Sequence, residues 1–404
     1  MTTPRQPIEP AEALSLVLEN ARLSAPESLP LLEAVSLILA EEIPAEHDLP
    51  PFDRATMDGY GVRLADAGRS PRVVAVVPAG RPVELVLEDG DAVEIMTGAP
   101  CPQGVEAVVK VESTTRDGDR VRLPSTLERG RHIVARGSEH RAGAPLLSKG
   151  ARLTPLAIAA AATAGRATVR VIPRPRVAVI STGAELTRPG EVRVPGRIRD
   201  SNRPMMAALL LESGLGEPSD HSVTDDRKII DETLRGILAG EPPPHVLVLS
   251  GGVSVGRFDL VPEALLALGA EVVFHGVRQR PGKPLLFARL GERLIFGLPG
   301  NPLSVLAGFH GYVAPALRRM MGLPATRPPF SAHLDGPFQT TSERHQRVLA
   351  EVTSGADGEL IARPLIGKGS GDLSAVQGAN AYLMFNPGHH RLRAGAEVRG
   401  EWLK

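Results

Sequence analysis

Only one cysteine, Cys101, stands in the 404 residues. That excludes an intrachain disulfide framework and any zinc site built on cysteines. Excess charge of either sign is also missing, since 46 Lys and Arg balance 46 Asp and Glu. A neutral balance speaks against wholesale binding to nucleic acid or to an anionic membrane, and it leaves room for a local basic pocket. There is no long apolar run. The most apolar stretch, Leu156 to Ala164, is mostly alanine and too short to cross a bilayer. The opening MTTPRQPIEP has no basic stretch followed by an apolar one, so no signal peptide is expected. We found no internal repeat and no low-complexity tract. The phosphate loop G-x-x-x-x-G-K-[ST] is absent, and no G-x-G-x-x-G opens the first βα unit. A soluble, cytoplasmic protein with no nucleic-acid or membrane partner is the expectation.

What is present is an ordinary globular composition, 42% hydrophobic and 23% charged, in a chain long enough for two to four domains. The 42 Gly and 37 Pro punctuate periodic segments and mark tight connections. Apolar residues at helical spacing predict helices over 11–22 and 29–42, the second closed by Pro44. From Glu46 to Gly143 short β-type runs follow one another: 73–77, 83–87, 92–96, 107–112, 120–123 and 132–135. Helical texture returns at Thr154, an N-cap with Pro155 in the first turn and Gly165 as the stop. We therefore expect a helical domain (1–45 and 144–174) with an inserted all-β module at 46–143. From 175 to 326 strands alternate with helices, which predicts a three-layer α/β domain with a mostly parallel sheet. From 327 to 404 short strands and turns return, predicting a small β-barrel.

In such sheets ligands bind beyond the carboxyl ends of the strands. Three strands end in Ser181-Thr182-Gly183-Ala184-Glu185, in Ser250-Gly251-Gly252-Val253-Ser254-Val255-Gly256, and in Pro299-Gly300-Asn301-Pro302-Leu303-Ser304. Each joins glycine to hydroxyl or amide side chains, and all three would converge on one edge. The second allows three readings. It can be a plain reversal. It can be an anion cradle at a helix start. It is also a literal G-x-S-x-G, the nucleophile elbow of serine hydrolases, with six later histidines able to complete a triad. Between the second and third turns, Arg278, Arg280 and Lys283 put fixed positive charge on a proline-stiffened segment. Such groups suit a phosphate, or else belong to a solvated strand edge. Glu185, the pair Asp225-Asp226 and Asp259 are carboxylates that could hold Mg²⁺ beside it, with an N-cap as the alternative role of Asp259. The loop Phe52 to Tyr60 would expose Phe52, Met57 and Tyr60 as a binding surface, or else pack on its own module.

The ordered stretches Pro51 to Tyr60, Ile95 to Pro100, Ser181 to Leu186, Asp200-Ser201-Asn202, Ser250 to Asp259, Pro281 to Pro284 and Gly297 to Pro302 resemble the molybdopterin molybdenumtransferase (MoeA) family, which includes the C-terminal domain of gephyrin. The resemblance spans nearly the whole chain. It implies a four-domain homodimer that inserts molybdate into adenylylated molybdopterin, with Mg²⁺-dependent release of AMP. It implies that Ser181, Thr182, Gly183, Ser250, Gly251, Gly252 and Ser254 line the phosphate and adenylyl pocket. It implies Glu185, Asp225 and Asp259 as metal-side catalytic acids. Arg280, Lys283, Pro299, Pro302, Ser304, Arg347 and Ser370 would lie at the molybdate end. Asn202, Gly300 and Asn301, in the same motifs, join the substrate-binding set. Asp58 and Thr97, catalytic residues on the β module, would reach a partner subunit's pocket. Molybdopterin adenylyltransferase, apo-molybdoenzymes and their chaperones are the implied partners, and a non-catalytic gephyrin-like scaffold is the implied alternative. Two departures stand out. Where the family often has Gly-Glu-Asp, this chain has Gly137-Ser138-Glu139-His140. The first lysine of the family's Lys-Pro-Gly-Lys is Arg280, which keeps the charge and changes the geometry.

Overall fold

The apolar run Val246-Leu247-Val248-Leu249 lies in a strand, Val246–Ser250, whose five residues are all buried. Burial on both faces is what a central parallel strand requires. In the computed structural model, which describes residues 6–253 and 260–403, the chain divides into two compact units, 28–171 and the combination of 1–27 with 172–404. Ser254 and Asp259 lie outside the described residues.

In the larger unit a six-stranded sheet is built from β1 (Arg176–Thr182), β2 (Glu217–Val223), β3 (Val246–Ser250), β4 (Glu271–His275), β5 (Leu286–Leu290) and β6 (Arg293–Leu298). Their order is β2-β1-β3-β6-β5-β4. The first four in that order are parallel, β5 pairs antiparallel with β6, and β4 pairs antiparallel with β5. Helices Asn202–Ser213, Arg227–Ala239, Val261–Ala267 and Pro302–Gly308 supply the alternation. Asp226 starts the second of them, accepting the backbone N–H groups of Lys228 and Ile229. One face of the sheet buries Ala178, Ile180, Leu247, Leu249 and Ile295 against Ile230, Leu234 and Leu265, each leucine or isoleucine contributing roughly 1.5–3 kcal/mol. After Gly308 the helix passes through a π turn, Phe309–Val313, into Ala314–Met320.

The C-terminal strands Phe330–Leu334, His345–Ser354, Leu360–Pro364, Ala381–Phe385 and Glu397–Trp402 close on themselves, since His345–Ser354 pairs with both Leu360–Pro364 and Ala381–Phe385. Closure removes the exposed sheet edge. A two-residue strand, Gln279–Arg280, adds to this barrel in parallel, Arg280 opposite Gln346. That pairing carries the cationic turn from the α/β sheet to the barrel.

The smaller unit holds a six-stranded sheet whose central strands bury apolar residues in two clusters. Gly59–Val62 is its tightest strand: a Cβ on Gly59 would stand 2.0 Å from the Val109 carbonyl oxygen. Helix Pro155–Thr163 has Thr154 as N-cap, its hydroxyl accepting from Ala157 N–H. Three expectations fail here. The segment 29–42 is not a helix. It contains a turn at 31–36 and a short strand, Ile38–Leu39. Its backbone groups bond elsewhere in the fold, Leu37 N to Leu153 O, Leu39 N to Ala151 O and Ala40 N to Arg170 O, and Ser36 takes φ 70. Long-range pairing has overridden helical spacing. The run 83–87 forms only an isolated bridge, Val86 to Gln103. Phe52 and Met57 are exposed, but Tyr60 is 4% exposed, because alternation within its strand turns it into the core beside Val62 and Val109.

Candidate active site

Strand register sets the site. Ser181 on β1 is opposite Ser250 on β3, and Ser250 is opposite Leu298 on β6. The three turns therefore leave the sheet at one level. They are held together by short contacts. A Cβ on Gly251 would stand 2.3 Å from the Thr182 carbonyl oxygen, and Gly251 has φ 92, so only glycine fits there without strain. The Gly251 N–H donates to Leu298 O at 3.1 Å. Asn202 ties the remaining ends: its Nδ2 donates to Ser250 Oγ at 2.8 Å and to the Gly300 carbonyl at 2.6 Å.

Behind this edge lies a charged support. Asp200, 3% exposed, accepts from Ser181 Oγ at 2.6 Å and from Arg203 Nε at 3.0 Å. Arg203 also forks onto Asp220 at 2.7 and 2.8 Å. Two oxygens at the edge, Thr182 Oγ1 and Asn202 Oδ1, are buried and have no hydrogen-bond partner among the described residues. Buried polar atoms are nearly always paired, so these two are open to a ligand: the Thr182 hydroxyl can donate to an anion, whereas the Asn202 amide oxygen can only accept. The acids sit on the first turn. The Ala184 N–H donates to Asp225 Oδ2 at 3.0 Å, and the Glu185 carboxylate folds back over Gly183, 2.7 Å from where a Cβ would be.

Next to the barrel a cleft of about 490 Å³ is lined by Arg280, Lys283, Pro299, Asn301, Ser304, Arg344, Gln346, Arg347 and Ser370 among others. Asn301 Nδ2 donates to Ser370 Oγ at 2.9 Å, and Leu303 N donates to Ser370 O at 3.0 Å, which joins the third strand end to the barrel loop. Arg347 pairs with Glu401 at 2.7 Å and is 11% exposed. Gln279, buried, accepts from Tyr312 Oη and donates to Gly282 O, fixing the turn that carries Arg280 and Lys283. Gln279, Arg344, Gln346 and Arg203 were not among the sequence-derived residues, and Asp200 stood in a quoted motif without a role. Polar residues that only a closed barrel or a distant strand brings inward give no linear signal.

In the smaller unit Asp58 and Thr97 meet. Asp58 Oδ1 accepts from both the backbone N–H and the hydroxyl of Thr97, each at 2.7 Å. These two donors hold the Asp58 carboxyl below its ordinary pKa. Glu139 pairs with Arg54 at 3.2 Å. No described helix is long and apolar enough to cross a membrane.

Residues 8–165 match the model of the MoeA N-terminal region (domain I and II), 178–319 that of a probable molybdopterin binding domain, and 332–401 that of the MoeA C-terminal region (domain IV). The molybdopterin molybdenumtransferase of Staphylococcus aureus (strain COL) is 33% identical over 98% of this chain and 95% of its own length. That of Staphylococcus epidermidis (strain ATCC 12228 / FDA PCI 1200) is 32% identical over 97% and 94%. Among solved structures, a molybdopterin biosynthesis MoeA protein from Pyrococcus horikoshii superimposes with TM-score 0.83 at 30% identity, covering 99% of this chain and all of that one.

Proposed function

The chain belongs to the molybdopterin molybdenumtransferase (MoeA) family, and on that premise we propose that it acts in molybdenum cofactor biosynthesis, inserting molybdate into adenylylated molybdopterin with release of AMP. The observation that carries this is the unpartnered buried hydroxyl of Thr182 at the converging strand ends, a donor for a phosphate oxygen, with the unpartnered Asn202 Oδ1 beside it as an acceptor for an amino or hydroxyl group of the same ligand, next to a cationic cleft. A ligand with a phosphate at one end and a site for a small oxyanion at the other matches that layout.

In this reading Ser181, Thr182, Gly183, Ser250, Gly251, Gly252 and Ser254 hold the phosphates and adenylyl group through hydroxyl and backbone donors, and Asn202 Oδ1 accepts from a hydroxyl or amino group of the adenylyl part. Arg280, Lys283, Arg347 and Ser370 hold the oxyanion, with Pro299, Gly300, Asn301, Pro302 and Ser304 shaping the wall between the two ends. Guanidinium and ammonium donors form the stronger, charge-assisted bonds. Glu185 and Asp225, both contacting the Ala184 turn, offer the hard oxygen donors that Mg²⁺ takes, and Asp259 would complete the set. When bound, the cation would neutralise phosphate charge. The residues' own part is to fix the anhydride and keep the leaving AMP and the oxyanion in line. The expected test is AMP release from adenylylated molybdopterin in the presence of molybdate and Mg²⁺, followed by chromatography. Absence of AMP release together with absence of bound pterin or AMP in the purified protein refutes the proposal.

The working form is a cytoplasmic homodimer with a dimerisation domain (1–45, 144–174), a β module (46–143), an α/β domain (175–326) and a barrel (327–404). It would receive substrate from a molybdopterin adenylyltransferase and pass product to apo-molybdoenzymes or their chaperones. Asp58 and Thr97 would complete the partner's site. An Asp58→Ala chain and an Asp259→Ala chain should each be inactive alone. After subunit exchange about a quarter of wild-type activity should return, since random pairing gives half heterodimers with one intact site of two. Demonstrated exchange without recovery overturns the shared site.

A further inference from the structure

One buried amide in the cationic cleft has an unused donor. Gln346 lies opposite Arg280 in the barrel and is 4% exposed. Thr340 Oγ1 donates to its Oε1 at 2.7 Å, which leaves Nε2 as the free end. Nε2 is buried and has no hydrogen-bond partner among the described residues. The other buried glutamine nearby, Gln279, has both ends engaged. Gln346 lines the cleft with Arg280, Lys283, Arg344, Arg347 and Ser370, and no Asp or Glu lines it among the described residues. A buried donor left unmade is costly, so the arrangement fits a cleft that is completed by an acceptor.

We propose that Gln346 is a specificity-determining residue of this cleft, its Nε2–H donating to one oxygen of a tetrahedral oxyanion and favouring an oxyanion that carries no proton there. The proposal rests on the reading that the cleft takes the molybdate end of the reaction. Molybdate at neutral pH presents only acceptors. Phosphate at the same pH carries one or two O–H groups, each of which needs an acceptor. An O–H turned to Nε2 would set donor against donor. Phosphate must therefore place its protons against the cleft's few acceptors, such as the Ser304 and Ser370 hydroxyls, and fits in fewer orientations. The cleft then discriminates between two oxyanions of similar shape by protonation state, with Thr340 holding the amide in the discriminating orientation.

The test is calorimetric titration of the full chain with molybdate and with phosphate at pH 7.5, for wild type, Gln346→Met and Thr340→Val. Wild type should prefer molybdate. Gln346→Met should weaken molybdate binding by roughly tenfold, the loss of one hydrogen bond, with a clearly smaller loss for phosphate, so that the preference falls. In turnover the KM for molybdate should rise by the same factor, with kcat and the KM for the adenylylated pterin unchanged, a split that general loosening of the barrel does not give. Thr340→Val, which frees the amide to rotate, should lower the preference as well and carries the test if Gln346→Met does not fold. Unchanged molybdate affinity in the variants, or equal losses for both anions, overturns the assignment. Wild-type selectivity that depends on Gln346 without any AMP release leaves the assignment standing and removes the transferase reading. Normal AMP release with selectivity indifferent to Gln346 does the reverse.

Discussion

Arg203→Met is the sharpest test of how the strand ends are held. Arg203 lies in helix Asn202–Ser213, directly after the residues that touch the site. The substitution keeps most of the side chain's bulk and removes its charge. Two interactions go. The bond to buried Asp200 is charge-assisted and contributes about 1.5–3 kcal/mol. The fork onto Asp220, which is 51% exposed, contributes about 0–1 kcal/mol after solvent screening. Asp200 would then be a buried carboxylate without its cation, and breaking such pairs costs roughly 3–5 kcal/mol. It keeps two donors, Ser181 Oγ and the Arg203 backbone N–H, so the lower end, about 3 kcal/mol, is expected. Urea unfolding followed by circular dichroism measures it, with an unchanged slope on denaturant. Asp200→Asn in the same chain removes the stranded charge and should recover part of the loss. A single-variant loss below about 1 kcal/mol, or strict additivity in the double variant, would refute the reasoning.

Gly251→Ala should abolish activity and destabilise the larger unit, because the added Cβ meets the Thr182 carbonyl at 2.3 Å with φ at 92; a wild-type melting temperature would contradict this. Burial, with the Arg347 charge nearby, holds His310 at a pKa of about 4, so the unfolded chain binds its proton over the window from about 6.5 down to about 4. Stability should therefore rise with pH across that window by at most about 1.4 kcal/mol per pH unit and be flat above it; the difference between wild type and His310→Gln across unfolding at several pH values isolates the effect. Asp58, with its pKa lowered by Thr97, contributes stability that is present above about pH 4 and lost as pH falls through its folded value. Asp58→Asn should leave the pH profile above pH 5 unchanged and remove that acid-side loss, as followed by melting temperature.

The legible parts of this chain are those whose signal is local. The run Val246 to Leu249 announces a strand buried on both faces, and the alternation after 175 announces a parallel sheet. Thr154-Pro155 announces a helix start. The Gly, Ser and Asn turns at strand ends announce a ligand edge, because that chemistry recurs three times at one position of the fold. What local signals cannot carry is which distant backbone a segment pairs with. The stretch 29–42 has helical spacing, yet Leu37, Leu39 and Ala40 bond to residues more than a hundred positions away, and those bonds decide its conformation. Asp200 and Arg203 read as an ordinary polar helix start until Asp220 and Ser181 are set around them. Gln346 reads as one polar residue on a strand until the barrel closes and Thr340 turns its amide. Closure and crossover place polar groups in low dielectric, where an unmade hydrogen bond becomes expensive, and that cost, which exists only in the tertiary structure, turns an unremarkable glutamine into a candidate ligand.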